Sequence, residues 1–220
     1  LEDAMKYRLI LNFHGATIPR GWQRTYPHMM SVEGVYGAEW YNNNSVLTNK
    51  AAAHNATLPF TRNVVGPMDY TPGTFSDSQH PHITSYGHEI ALPILFESAL
   101  QHMPDRPSIY YSFPTPIQNY LSQLPTVWDD TKLLAGYPGV EAVIARRKGD
   151  TWYIGGINGT DEERTLHFSL NSLSDLGTEA MIIRDGMDDR NLITEENVQL
   201  RKKEFTINCL PRGGFVLIVK

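Results

Sequence analysis

The chain is short of most features that would assign it to a function class. It has one cysteine, Cys209, so no internal disulfide is open to it, and a thiol between Asn208 and Leu210 reads as an inert strand residue. Cysteine usage therefore leaves the compartment open. Basic excess is absent: 19 Lys and Arg against 24 Asp and Glu give a net charge of -5, the wrong sign for a nucleic-acid partner. Apolar runs are strand-sized and none is long enough for a membrane span. The sequence has no phosphate loop, no Gly-x-Ser-x-Gly elbow and no dinucleotide fingerprint. Repeats and low-complexity tracts are missing too. The opening Leu1-Glu2-Asp3 is acidic where a secretory leader would be basic. Leu1, Ala4 and Met5 share a helix face with neither a cap nor an initiator Met, which leads us to expect a substantial protein upstream of residue 1. Matches to the glycosylation pattern at Asn43, Asn55 and Asn158 carry little weight, because such triplets are common by chance.

What is present divides in two. Seven of the eight histidines (14, 28, 54, 80, 82, 88 and 102) precede Leu124-Pro125, so chemistry is expected in the first half. There the pattern alternates short buried strands with helical crossovers. Residues 8–14 read as a nearly continuous apolar strand ending in polar groups; 34–40 and 63–69 are the next candidates. Residues 51–60 have helical character up to Pro59, 88–103 is the clearest helix with Pro93 near its first turn, and 116–124 a shorter one. Strands whose C-terminal ends finish in Asn12/His14, Glu39 and Asp69 follow the (β/α) barrel pattern, in which catalytic groups stand at those ends. Three strands are too few to close a barrel. After residue 125 the grammar is all-β: strands are expected at 140–147, 151–158, 164–170, 178–184 and 214–219, with a hairpin turn at Lys148-Gly149-Asp150. That spacing suggests a small antiparallel sandwich. The expectation is α/β plus all-β: residues 1–125 as the C-terminal part of a (β/α)8 barrel, and 126–220 as a β-sandwich domain.

Several residues could do chemistry. Glu33 and Glu39 stand six apart across Gly34 and Gly37, with Trp40 and Tyr41 following. A carboxyl beside an indole loses solvation, which raises its pKa toward the range of a general acid, and the rings suit stacking on a sugar face. Two solvated loop glutamates fit the same spacing. Asn12 and His14 alternate along one strand and so point to one side, as a binding pair or as a core His satisfied by backbone. Asp69 opens a turn-like stretch and reads equally as a helix cap. His80-Pro81-His82 is a weak metal signal without a third partner.

Read in order, NFHGATIPRG (12–21), RTYPH (24–28), EGVYGAE (33–39), LPFTR (58–62) and GPMDYTPG (66–73), followed by PTVWDD (125–130) and IARRKGDTWYIGG (144–156), resemble glycoside hydrolase family 97. The order and spacing of these blocks carry the resemblance over nearly the whole chain. It implies an N-terminal β-sandwich, a central (β/α)8 barrel, a C-terminal β-domain and an active-site calcium ion. By the same resemblance Glu39 is the general acid/base, Glu33 a calcium ligand and His14 a substrate contact, with Asn12, His54, Asp69 and Trp40 supporting the site.

Gly15 selects the mechanism: inverting members carry a glutamate there, and retaining members carry glycine and use an aspartate from an earlier strand. Retaining pairs stand roughly 5–5.5 Å apart and inverting pairs roughly 6.5–9.5 Å. The nucleophile is expected upstream of residue 1, since Asp3 belongs to a helix start. The resemblance thus implies part of a retaining, exo-acting α-galactosidase-like enzyme of the periplasm or cell surface, acting on α-galactosides or oligosaccharides. The chain alone is expected to be inactive and poorly stable without its other half. A retaining α-glucosidase and a non-catalytic carbohydrate-binding or interaction fragment are the alternatives.

Overall fold

A computed structural model of the chain describes residues 1–40, 44–77 and 80–220. Helix α1 (Glu2–Lys6) carries acids in its first turn and Lys6 in its last, which suits the helix dipole, but buries no residue. Strands β1 (Leu11–Phe13) and β2 (Met29–Val32) pair in parallel. The Glu33 N–H extends the ladder to the Phe13 carbonyl at 2.7 Å, and Met68 bridges Val32, again in parallel. Three segments therefore run side by side in one direction and end together. No closed barrel forms among the described residues.

The strand expected at 34–40 is absent; β2 lies just before it, 34–39 is a loop, and Trp40 is helical. The glycines explain the difference. Gly37 packs so tightly that a Cβ there would come 2.8 Å from the Tyr70 carbonyl oxygen, and that oxygen already accepts the Ala38 N–H at 2.9 Å. A loop laid across Tyr70 replaces a ladder.

Helix α2 (Ser45–Thr48) starts at Asn44, whose side chain accepts from the Val46 N–H. Helix α3 (Ala51–Thr57) and the single turn Leu58–Phe60 together occupy the helical stretch expected up to Pro59. Helix α4 (Tyr86–Leu95) is capped by Ser85, whose hydroxyl accepts from the His88 N–H. It is shorter than expected, and Pro93 lies in its last turn rather than its first. Proline donates no backbone hydrogen bond, and side chains take the carbonyls left at the helix end. Arg146 donates to the Ile94 and Leu95 carbonyls, and Gln101 to those of Pro93 and Phe96. Helices α5 (Pro107–Ser112) and α6 (Thr115–Gln123) complete this half.

The second half is antiparallel. Strands β3 (Asp130–Tyr137), β4 (Glu141–Lys148), β5 (Thr151–Asn158), β6 (Arg164–Ser169), β7 (Glu179–Asp185), β8 (Leu192–Gln199), β9 (Glu204–Cys209) and β10 (Gly214–Val219) form two sheets. One has the order β3-β4-β5-β10-β7-β8 and the other pairs β6 with β9. Lys148 faces Thr151 across the expected hairpin, with Gly149 at φ 57°. Trp152, Phe215 and Leu217 from the large sheet pack with Leu166, Phe168 and Ile207 from the small one, a two-layered arrangement consistent with a β-sandwich. Cys209 ends β9 in this core, where burial pushes its thiol up to about 12. On the other face of the large sheet, α4 lies along β5 and β10. Ile90, Ile94, Ile144, Ile157 and Val216 share one core, so the two halves are packed together by apolar burial. Asn55 and Asn158 are fully buried and offer no glycan acceptor; Asn43 lies outside the described residues.

Candidate active site

The parallel ladder gathers the polar strand ends. Asp69 follows the Met68 bridge and is fully buried, and it works as an acceptor hub. The Asn12 amide donates to its Oδ2 at 2.5 Å, His14 Nε2 at 2.9 Å and His102 Nδ1 at 2.6 Å. The backbone N–H groups of His102 and Thr71 donate to Oδ1 at 3.0 and 3.4 Å. Burial by itself would raise the Asp69 pKa, but the hydrogen bonds from His14, His102 and Asn12 favour the charged form and hold the carboxyl below its ordinary value.

His14 has its other ring nitrogen toward two more carboxylates. Nδ1 is 3.7 Å from Glu33 Oε1 and 3.8 Å from Glu39 Oε1. Burial disfavours the imidazolium, yet the hydrogen bond to Asp69 and the charges of Asp69, Glu33 and Glu39 outweigh it, so the His14 pKa is raised. Glu33 is buried and accepts the Gly15 N–H at 2.6 Å. Gly15 takes a left-handed φ of 60°, a conformation glycine adopts without strain. Glu39 is half exposed, with 50% of its side chain accessible. Its pKa is raised, first by burial and then by the hydrogen bond and charge of Glu33, against the opposing pull of His14. Glu39 thus comes from the loop across Tyr70, not from a strand end.

Arg62 holds these strand ends in place. Its buried guanidinium donates to five carbonyls: Gly34 from Nε (3.1 Å), Gly66 from Nη1 (3.0 Å), and Val32, Glu33 and Pro67 from Nη2 (2.8, 3.1 and 2.9 Å). The planar five-donor fork suits this use. One side chain thereby ties the end of β2 to the segment that delivers Asp69.

The structure brings Asn12, His14, Glu33, Glu39 and Asp69 together. His54 stands apart on α3, bound through Nε2 to the Tyr36 carbonyl at 3.1 Å; burial lowers its pKa despite that bond. It braces the loop that carries Glu39. Trp40 packs edge-on against Tyr36, with ring centroids 5.3 Å apart, and the raised Glu39 pKa derives from burial and Glu33. Asp3 pairs with Lys6 at 3.1 Å on the exposed face of α1. Sequence reading overlooked His102, which reaches Asp69 from 33 positions away and carries no local spacing signal. It also overlooked the role of Arg62, whose only signal was its place in the 58–62 block.

Among the described residues, His14–Glu33–Glu39 and His14–Asp69–His102 are the groups close enough to share a cation; His80 and His82 are in neither. The first group offers the hard oxygen donors that calcium takes, in sets of six to eight, so the donors present fit as part of such a set. The second group is already closed, because Asp69 Oδ2 receives three N–H donors. A groove of about 630 Å³ between α6 and the large sheet lies elsewhere and is lined by Asn119, Tyr120, Tyr153, Glu196 and Lys220. Size does not mark the chemistry here.

Removal of the Asp69 charge has a sign fixed by its depressed pKa. The ionised form contributes stability above the unfolded-state value of about 3.9, and this is lost as pH falls through the lower folded value. Asp69→Asn is therefore expected to lower the thermal midpoint at neutral pH. The gap to wild type should narrow as pH falls below about 4; a gap independent of pH would contradict the assignment.

Two carboxylates side by side, with an imidazole between them and a buried aspartate, are the equipment of a carboxylate-based hydrolase centre. Sequence comparison is specific about which. Residues 127–220 match the profile described as "Glycosyl-hydrolase 97 C-terminal, oligomerisation", and residues 1–35 the profile "Glycoside hydrolase 97". The chain belongs to glycoside hydrolase family 97. It is 41% identical over 99% of its length to a "Probable retaining alpha-galactosidase" of Streptomyces bingchenggensis, covering 32% of that protein. It is 34% identical over its full length to a "Retaining alpha-galactosidase" of Bacteroides thetaiotaomicron, covering 35% of it. A family 97 enzyme from Pseudoalteromonas sp. strain K8, solved in complex with panose, superposes with a TM-score of 0.88 at 28% identity, over 100% of this chain and 36% of that one. The chain thus spans about a third of the length of the relatives it matches.

Proposed function

We propose that this chain supplies the acid/base half of a retaining α-glycosidase site, with an α-galactoside as substrate. The observation that carries this reading is Glu39, a half-exposed carboxyl with a raised pKa beside the buried Glu33 and His14. Glu39 protonates the departing glycosidic oxygen and then takes a proton from the water that releases the sugar. A carboxylate nucleophile on another strand of the full-length enzyme attacks the anomeric carbon as Glu39 protonates the leaving oxygen, and the activated water then displaces that carboxylate from the glycosyl-enzyme. Gly15 supports retention, because the position after His14, where inverting relatives carry a glutamate to activate the water, holds no carboxylate. The two relatives named as retaining alpha-galactosidases support the same stereochemistry and sugar.

Residues 1–125 then form the last strands of a (β/α)8 barrel and residues 126–220 the C-terminal β-domain. The parallel order β1–β2–Met68 and the exposed Tyr7, Leu9, Ile10 and Trp22 support this, since another part of the enzyme would cover such apolar groups. Within the site Asn12 and His14 face the sugar, Asp69 fixes both, and His54 and Trp40 shape the loop bearing Glu39. Glu33 would be one ligand of a calcium ion, which supplies positive charge near the sugar hydroxyls when bound. An exported location, in the periplasm or at the cell surface, agrees with such a substrate. The decisive assay compares p-nitrophenyl α-galactoside with the α-glucoside using the full-length enzyme. The galactoside should be hydrolysed with the higher kcat/KM. Preference for the glucoside would make the enzyme an α-glucosidase, and cleavage of neither would reject the reading.

A further inference from the structure

The proposed mechanism leaves His102 without a task, although it is anchored as firmly as His14. Its Nδ1 donates to Asp69 Oδ2 at 2.6 Å and its backbone N–H to Asp69 Oδ1 at 3.0 Å. Two attachments to one buried carboxylate fix both the ring position and the tautomer: with the proton on Nδ1, Nε2 is left as an acceptor. The side chain is nonetheless 57% exposed, and Nε2 has no hydrogen-bond partner among the described residues. The ring stands edge-on to His14, with centroids 6.3 Å apart and planes 78° apart, and Asn12 Nδ2 lies 3.3 Å from its Nδ1. An imidazole held rigidly by a buried anion, exposed beside the His14 ring, is preorganised to receive a donor from solvent or ligand.

We propose that His102 binds a hydroxyl group of the pyranose through Nε2, as a substrate contact beyond the residues assigned above. This rests on the reading of the site as a glycosidase centre. Chemically, a sugar hydroxyl donates to Nε2 while Asp69 keeps the ring from turning away. Asp69 thereby serves two imidazoles at once: His14 toward the carboxylate pair and His102 toward the sugar.

Substitutions separate this from a bracing role toward Asp69. Asparagine carries its amide where His102 carries Nδ1, so His102→Asn keeps the donor to Asp69 and removes Nε2. Glutamine places its amide near the Nε2 end. In the full-length enzyme, His102→Asn is expected to melt within a few degrees of wild type. Its kcat/KM on p-nitrophenyl α-galactoside should fall by about tenfold or more, the loss of one well-placed hydrogen bond. Across the monodeoxy analogues that penalty should vanish for one analogue, the one lacking the partner hydroxyl. His102→Gln should regain part of the loss, and it serves as the second probe if the asparagine variant folds poorly. An unchanged kcat/KM, or an equal loss on every analogue, overturns the proposal while leaving an active wild type. A wild-type enzyme inactive on α-glycosides overturns the functional reading and this proposal with it.

Discussion

In the full-length enzyme, Glu39→Gln is expected to lower kcat on galactosides with poor leaving groups by about two to four orders of magnitude, the range of a lost general acid. Glycosides with activated phenol leaving groups should form the glycosyl-enzyme at near wild-type rate, because such phenolates depart without a proton. Their turnover would then be limited by the second step, in which Glu39 acts as base, and a burst of phenol should precede a slow steady state. The surroundings of Glu39 account for this pattern. Burial and the adjoining Glu33 raise its pKa, so the carboxyl holds its proton at higher pH than a solvated glutamate does. Glu33, buried and engaged with the Gly15 N–H, is not placed to act as the acid. A uniform loss on all leaving groups would move the acid role elsewhere.

The second large effect is structural. Arg62→Met removes the donors to five carbonyls that hold the ends of β2 and the Gly66–Pro67 segment. Each buried acceptor left unpaired costs on the order of 1–3 kcal/mol, and water can reach some of them. A net loss of about 3 kcal/mol or more is therefore expected in the free energy of unfolding. Arg62→Lys should recover only part of it, since an ammonium cannot span five acceptors. Denaturation of the full-length enzyme in urea measures this, and a midpoint within error of wild type for the methionine variant contradicts the bracing role. Activity should fall with stability, because Glu33 and Asp69 are set by the same strand ends.

The sequence was most legible where local pattern and burial agree. Strands β5 and β10 are apolar and central, and both were expected. Strands β3 and β8 are the two edges of the large sheet, and β8 reads LITEENVQ, with polar residues a solvated edge tolerates but a pattern search discounts. In the first half, MMSV of β2 carries a single β-branched residue, so the strand expected at 34–40 displaced the real one. Glu33 still falls at a strand end, one residue past Val32. Asn12, His14 and Asp69 were legible as polar ends of apolar segments. His102 was not, because its partnership with Asp69 is made by the tertiary fold across 33 positions. The extent of α4 was misread because Arg146 and Gln101 terminate it from outside its own sequence.

The central claim is that Glu39 is the acid/base of a retaining site, and azide rescue of Glu39→Ala in the full-length enzyme tests it most directly. Azide needs no general base, so it can attack a trapped glycosyl-enzyme from the side that Glu39 vacated. With an activated aryl α-galactoside, added azide should restore turnover and yield the α-galactosyl azide, of retained configuration. A β-galactosyl azide, or no response to azide in a folded variant, would contradict the account.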